Sequence, residues 1–152
     1  MAQVVSLFIC ADKGLPMVEV QSVNAIVGKG LKGDRYALGK GAWSKAREAI
    51  RHVSLIEIEA INEANKNLEV RFMAIETRRN IIVSGVRLNE LVGKVFRIGN
   101  VKVRGVELCD PCVRPSKLAG KEGFAEAFAS RGGLRVEVLS AGTINQGDPI
   151  IV

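Results

Sequence analysis

A β-hairpin is predicted by the sequence Val95-Phe96-Arg97-Ile98-Gly99-Asn100-Val101-Lys102-Val103-Arg104-Gly105-Val106. Gly99-Asn100 separates two apolar runs, and this dipeptide favours the tight turn that joins antiparallel strands. In the second run the valines alternate with Lys102 and Arg104, so one face of that strand is predicted to meet water. The hairpin therefore indicates a β-sheet with one exposed face.

Short apolar runs separated by turn residues extend this pattern along the chain. Because many short strands with glycine-rich joints are typical of barrels and mixed sheets, the sequence predicts a mainly β, barrel-like fold. Further strands are predicted at 4–9, 18–27, 81–83, 134–139 and 150–152, with turns at Gly142 and at Gly147-Asp148-Pro149.

Two short helices are predicted between the strands. Ser54 and Glu57 match a capping box, in which two side chains satisfy free backbone N–H groups at a helix start. Apolar residues then recur at helical spacing, so a helix is predicted over 54–65. A second apolar stripe at 124–128 ends before Gly132-Gly133 and predicts another helix.

The composition is that of an ordinary globular chain with an excess of positive charge. The 152 residues are 47% hydrophobic and 25% charged, and we expect one domain over 1–152. The formal net charge of +6 favours an anionic partner. Aromatic residues make up only 5%, so a stacking platform for single-stranded nucleic acid is not expected.

The sequence also bears on cellular location. No apolar run approaches the ~20 residues that a membrane span requires, so no membrane association is expected. The N-terminus has no basic region before its apolar stretch and no clear cleavage site, which argues against a secretory signal. We therefore expect a cytoplasmic protein.

The three cysteines are Cys10, Cys109 and Cys112. Their odd number, without a secretory signal, argues against a disulfide scaffold. Cys10 lies in an apolar run and is interpreted as a buried small hydrophobic residue.

The sequence Cys109-Asp110-Pro111-Cys112 leaves several interpretations open. A zinc site needs four ligands, so it would require two chains to share the metal; lone His52 is interpreted as a surface or packing residue. A redox dithiol usually opens a helix in a thioredoxin-like fold, a context that Pro111 does not give. Two inert thiols are another alternative. The last is a reactive thiolate, with its pKa lowered by Arg114 and Lys117, that carries a persulfide or ligates a soft metal.

A glycine-rich stretch at 28–41 contains Gly28-Lys29-Gly30-Leu31-Lys32-Gly33, which matches a dinucleotide-binding pattern. Gly39 and Gly41 oppose the helix that a Rossmann site needs, and Asp34-Arg35 stands where a P-loop requires Lys and Ser or Thr. Both nucleotide-binding interpretations are therefore disfavoured. Gly33-Asp34-Arg35 is either a turn held by local hydrogen bonds, which is favoured, or an Arg presented to an anion.

Arg78-Arg79-Asn80 precedes the strand predicted at 81–83. Two guanidiniums at a strand entrance form either a solvated rim or a bidentate clamp on a phosphate or another oxoanion. Asn80 donates and accepts hydrogen bonds, so it suits either a pocket wall or a turn.

Together these motifs resemble a known family. In order and spacing the chain is similar to a stand-alone MOSC domain, the module that ends eukaryotic molybdenum cofactor sulfurases. The resemblance covers nearly the whole chain and is carried by residues 30–36, 53–57, 78–81, 91–99, 109–112, 131–134, 142–144 and 147–148.

The resemblance implies a β-rich, barrel-like fold with short helices at its ends. It also implies a key cysteine, here Cys112, that carries sulfur as a persulfide or ligates molybdenum. Cys109 sits where relatives sometimes have a second thiol. The basic motifs would face the anionic pterin phosphate of the molybdenum cofactor (molybdopterin), and the implied cofactor-binding residues are Gly33, Asp34, Arg35, Arg78, Arg79 and Asn80.

Two versions of the chemistry follow from the resemblance. As a sulfur carrier, the Cys112 thiolate attacks a donor persulfide and passes the terminal sulfur on. As a reductase, bound molybdenum cofactor takes Cys112 as a thiolate ligand and reduces N-hydroxylated compounds. From its length, we expect this chain to lack the pyridoxal-phosphate desulfurase domain of longer relatives. We therefore expect a separate cysteine desulfurase-type sulfur donor or separate electron donor proteins.

A rival interpretation comes from a different functional class. The chain would then be a non-enzymatic module that binds a nucleic acid or protein partner through its basic face. In that case substitution of Cys112 leaves function intact, whereas substitution of Arg78 and Arg79 abolishes it.

Overall fold

The hairpin predicted at 95–106 is present in the structure, a computed structural model that describes residues 1–41 and 52–152. In this part of the chain, short strands dominate and three short helices interrupt them. The strands are β1 (Gln3–Ile9), β2 (Val18–Val20), β3 (Ser22–Ile26), β4 (Gly30–Leu31), β5 (Val53–Glu57), β6 (Ile81–Ser84), β7 (Val95–Ile98), β8 (Val101–Leu108), β9 (Leu134–Val138), β10 (Gly142–Asn145) and β11 (Ile150–Ile151). The helices are α1 (Ile58–Asn65), α2 (Arg114–Ala119) and α3 (Phe124–Ala127), with 3-10 turns at Ala74–Thr77 and Leu88–Leu91.

Eight of these strands form one curled sheet in the order β11-β7-β8-β9-β5-β6-β1-β2. Its neighbouring strands are antiparallel, except that β5 and β6 run parallel. The remaining three form a smaller antiparallel sheet in the order β10-β3-β4. The prediction of a mainly β, barrel-like fold with a few short helices is confirmed.

The large sheet is buried on both faces at its centre. On β5, Leu55 packs into a core cluster that also contains Val23 and Ile144 of the small sheet. The next residue, Ile56, packs on the opposite face into a cluster with Phe124 and Phe128. The small sheet therefore covers one face of the large sheet, and helical segments cover the other.

The helix predicted over 54–65 begins later, and its predicted capping box is wrong. Residues Val53–Glu57 form β5, and α1 begins at Ile58, with Glu57 extended and making no side-chain cap hydrogen bond. Because β5 is buried on both faces, its apolar residues follow one another rather than alternate. Because this apolar run continues into α1, the apolar residues of β5 and α1 together have the spacing of a helix.

Three further elements differ from the expectations. The strand predicted over 18–27 divides at Gln21 into β2, in the large sheet, and β3, in the small one. Strand β10 begins at Gly142, where the sequence predicts a turn, and α2 forms where the sequence predicts no helix. Among the residues that the structure describes, no helix is both long enough and apolar enough to cross a membrane.

Candidate functional site

Segments next to the ends of several strands meet at one cleft. They follow β1, β4 and β8, precede β6, and include residues near the starts of β5 and β9. Six of the ten lining residues carry a cationic side chain, so the cleft lining would attract an anion. We name it the arginine cleft; it is lined by Lys13, Arg35, Tyr36, Ser54, Arg78, Arg79, Cys112, Arg114, Pro115 and Arg135.

A buried ion pair supports the floor of the arginine cleft. Asp34 Oδ1 accepts hydrogen bonds from Arg35 Nη1 at 3.1 Å and from the Cys10 backbone N–H at 3.2 Å. Arg35 Nη2 donates to the carbonyl oxygen of Arg78 at 3.2 Å. Arg35 is thus oriented by contacts within the protein, and it in turn fixes the backbone of Arg78. Gly33, with φ of 86°, supplies the left-handed turn before this pair and does not line the cleft.

Arg78 is held in the cleft wall by two contacts. Its Nη1 donates to the Leu15 carbonyl oxygen at 2.8 Å, and its Nη2 lies 3.5 Å from the Cys10 sulfur. Burial lowers the pKa of Arg78, and the neighbouring charges of Arg35 and Arg114 lower it further. A guanidinium that is buried beside like charges would be stabilised by a bound anion.

Arg79 connects this wall to the cysteine loop. Its Nε donates to the Gly132 carbonyl oxygen at 2.8 Å. Gly132 packs so closely on the Cys109 carbonyl oxygen that a Cβ at position 132 would collide with it. The loop of residues 109–112 is thereby placed next to the two arginines.

Two other predicted site residues, Asn80 and Cys109, do not line the cleft. Asn80 is fully buried beneath it, where Nδ2 donates to the Phe8 carbonyl oxygen at 3.1 Å and Oδ1 accepts from the Ser54 backbone N–H at 3.1 Å. These two contacts join the segment before β6 to β1 and β5. Cys109 is also buried, and its backbone N–H donates to the Gly133 carbonyl oxygen at 2.8 Å.

Cys112 is half-buried and lines the arginine cleft together with Arg114. Lys117, which was expected to assist the thiolate, lies on α2 outside the lining. Cys10 is buried as predicted, but its sulfur also contacts Arg78, a contact that the sequence did not indicate. His52 is half-buried, and its Nδ1 accepts a hydrogen bond from the Val138 backbone N–H at 3.0 Å.

Most of the chain matches the model of one protein family. The model of the MOSC domain matches residues 40–151. The chain belongs to the MOSC domain family. A search of curated proteins gives no match.

Solved structures share the MOSC fold of this chain. It is similar to the YuaD protein from Bacillus subtilis, with a TM-score of 0.80, 21% identity, and coverage of 99% of this chain and 94% of that one. It is also similar to YiiM from Geobacillus stearothermophilus, with a TM-score of 0.74, 17% identity and coverage of 99% and 74%. For YiiM from Escherichia coli the TM-score is 0.69, the identity 14%, and the coverage 99% and 69%.

The donor groups of this MOSC domain fit a soft, anionic ligand better than a hard metal ion. Among residues 1–41 and 52–152, no group of three or more His, Cys, Asp and Glu side chains could hold a metal ion. Because Cys109 is buried, this chain does not present the two accessible thiols that the shared zinc site requires. One half-buried thiol beside several guanidiniums matches the donor set for a soft metal carried by a phosphorylated cofactor.

Proposed function

We propose that this MOSC protein binds the molybdenum cofactor in the arginine cleft, with Cys112 as its thiolate ligand. The observation that carries the proposal is that Arg78, Arg79, Arg114 and Arg135 line the same cleft as Cys112. When bound, the molybdenum centre would supply two-electron redox chemistry, and electrons would come from separate donor proteins.

The protein's own contribution is charge and position. Arg114 and its cationic neighbours line the same cleft as the Cys112 sulfur, so an anionic ligand bound there would lie beside both. Arg78 and Arg79 present guanidiniums whose orientation is fixed by carbonyl oxygens, so they can bind a phosphate without a large loss of side-chain entropy. Asp34 and Arg35 hold this arrangement from below.

A sulfur-carrier role uses the same thiolate. The Cys112 thiolate would attack the outer sulfur of a persulfide on a cysteine desulfurase-type donor, and the donor's S–S bond would break. A persulfide would then remain on Cys112, and the donor cysteine would leave as a thiolate. The buried position of Cys109 supports a persistent Cys112 persulfide, because a buried thiol is poorly placed to displace that sulfur.

Metal analysis of protein made in a host that synthesises the cofactor tests the proposal. We expect stoichiometric molybdenum in the wild type, loss in Cys112→Ser and a decrease in Arg114→Gln. Arg97→Gln is the matched control, because Arg97 is an exposed arginine on β7 outside the cleft lining. Cys109→Ser controls for removal of a thiol outside the cleft lining.

Other results would favour the alternatives. Molybdenum-free wild-type protein whose Cys112 has gained the mass of one sulfur atom would favour the carrier. The non-enzymatic basic module would be favoured if Cys112→Ser bound its partner like the wild type while Arg78→Gln and Arg79→Gln did not.

A further inference from the structure

Cys112 borders a second cleft as well as the arginine cleft. Arg79, Cys112 and Arg135 line both, so the thiol lies in the wall that the two clefts share. The second cleft also contains Glu107 and Asp110, and we name it the carboxylate cleft. Its volume of about 280 Å³ suits a small molecule rather than a folded partner.

The two clefts differ in charge. No carboxylate lines the arginine cleft among the described residues, whereas two line the carboxylate cleft. Glu107 Oε1 lies 3.7 Å from Arg135 Nε, and it therefore offsets one of the shared positive charges. Asp110 is exposed at the same cleft. The carboxylate cleft thus has two cationic and two anionic side chains, whereas the arginine cleft has six cationic ones.

A β-bulge is the reason that Glu107 faces this cleft. The register of β8 with β9 pairs Gly105 with Val136 and then Glu107 with Arg135, so Val106 is an extra residue. Without it, Glu107 would share the inward face of Val103 and Gly105, which are both buried. The bulge turns Glu107 outward, where its side chain is 49% exposed.

We propose that the carboxylate cleft receives the small molecule that reacts at the Cys112 centre, and that Glu107 and Asp110 select protonated amines and other small organic cations. This inference rests on the proposed role of Cys112. A cationic reactant would be repelled by the six cationic side chains of the arginine cleft, whereas the two carboxylates of the carboxylate cleft offset its two arginines. The two would reach the centre by separate routes.

Thiol reagents of different charge test the route in the apoprotein. The rate of Cys112 modification is measured by mass spectrometry at low ionic strength with a cationic trimethylammonium methanethiosulfonate, an anionic sulfonate analogue and neutral methyl methanethiosulfonate. The Glu107→Gln, Asp110→Asn double variant removes both charges of the cleft. Glu126→Gln on α3 removes an exposed carboxylate elsewhere, and Cys112→Ser measures the reaction of the other thiols.

We expect the double variant to slow the cationic reagent about threefold or more, because two nearby charges no longer attract it. The neutral reagent should keep its rate, and Glu126→Gln should behave as the wild type. An unchanged cationic rate, or an equal slowing of all three reagents, would overturn the proposal. Arg114 lines only the arginine cleft, so the rate of the anionic reagent in Arg114→Gln tests that cleft by itself. An unchanged anionic rate in that variant would count against the cofactor-binding proposal and not against the carboxylate cleft.

Discussion

At the scale of single residues, the candidate site depends on one buried ion pair. The Asp34 side chain is fully buried and that of Arg35 is 7% exposed, and the pair is joined at 3.1 Å. Both are adjacent in sequence, so the sequence could indicate a turn but not that Arg35 reaches the carbonyl of Arg78. That contact joins residues 43 positions apart, and no local pattern encodes it.

Asp34→Asn should destabilise the protein by about 3 kcal/mol or more, because it leaves the Arg35 guanidinium buried without its counter-charge. Urea unfolding followed by circular dichroism measures the effect. Glu63→Gln is the control, since Glu63 pairs with Lys66 at the surface and exposed pairs contribute little. A change in the unfolding free energy no larger than the control's would contradict the structural role assigned to Asp34.

At the scale of elements, the success of prediction depended on how each strand is buried. The hairpin of β7 and β8 was predicted because one of its faces is wet, so its residues alternate. Strand β5 was mistaken for a helix start because both its faces are buried, so its apolar residues do not alternate with polar ones. Lys13 and Arg135 were missed as cleft residues because only the tertiary fold brings the segment after β1 to the same cleft as the start of β9.

The loop that carries Gly132 offers a test at this scale. Gly132→Ala should displace the Cys109 carbonyl and Pro111, since the added methyl group would collide with that oxygen and lie 3.1 Å from Pro111 Cδ. We expect lower molybdenum content in the variant purified from a cofactor-producing host, with the fold retained. In Gly142→Ala the added methyl group meets only a Val101 side chain at 3.1 Å, so that variant should match the wild type. Full molybdenum content in Gly132→Ala would disprove the dependence on loop position.

At the scale of the whole molecule, the fold concentrates part of the positive charge behind the net +6 at one place. Six cationic side chains line one cleft, although they come from segments spread between positions 13 and 135. The sequence therefore predicted an anionic partner from bulk charge and found the Arg78-Arg79 and Cys112 motifs. The sequence could not show that these motifs lie at one cleft, because their distance in space depends on the order of the strands in the sheet. Likewise, the bulge at Val106 depends on the pairing with β9.

The stability of the whole domain should fall as the pH is lowered below about 6.5, the ordinary pKa of histidine. Burial lowers the pKa of His52 in the folded protein, and the charge of Glu137 only partly opposes this. The unfolded chain thus binds the proton more readily, so His52 contributes its full stabilisation above the unfolded pKa and loses it as the pH falls through the folded one. Protonation also removes the acceptor that Nδ1 offers to the Val138 backbone N–H.

Urea unfolding at pH 7.5 and pH 5.5 measures this loss against His52→Asn, whose side-chain oxygen can keep the acceptor but does not titrate. Glu57 opposes the trend, because burial raises its pKa and its protonation at low pH then favours the folded state. Both proteins contain Glu57, so the difference between them isolates His52. The wild type should lose more unfolding free energy than His52→Asn over this interval. An equal loss in the two proteins would show that the contact of His52 with β9 does not control the acid limb of stability.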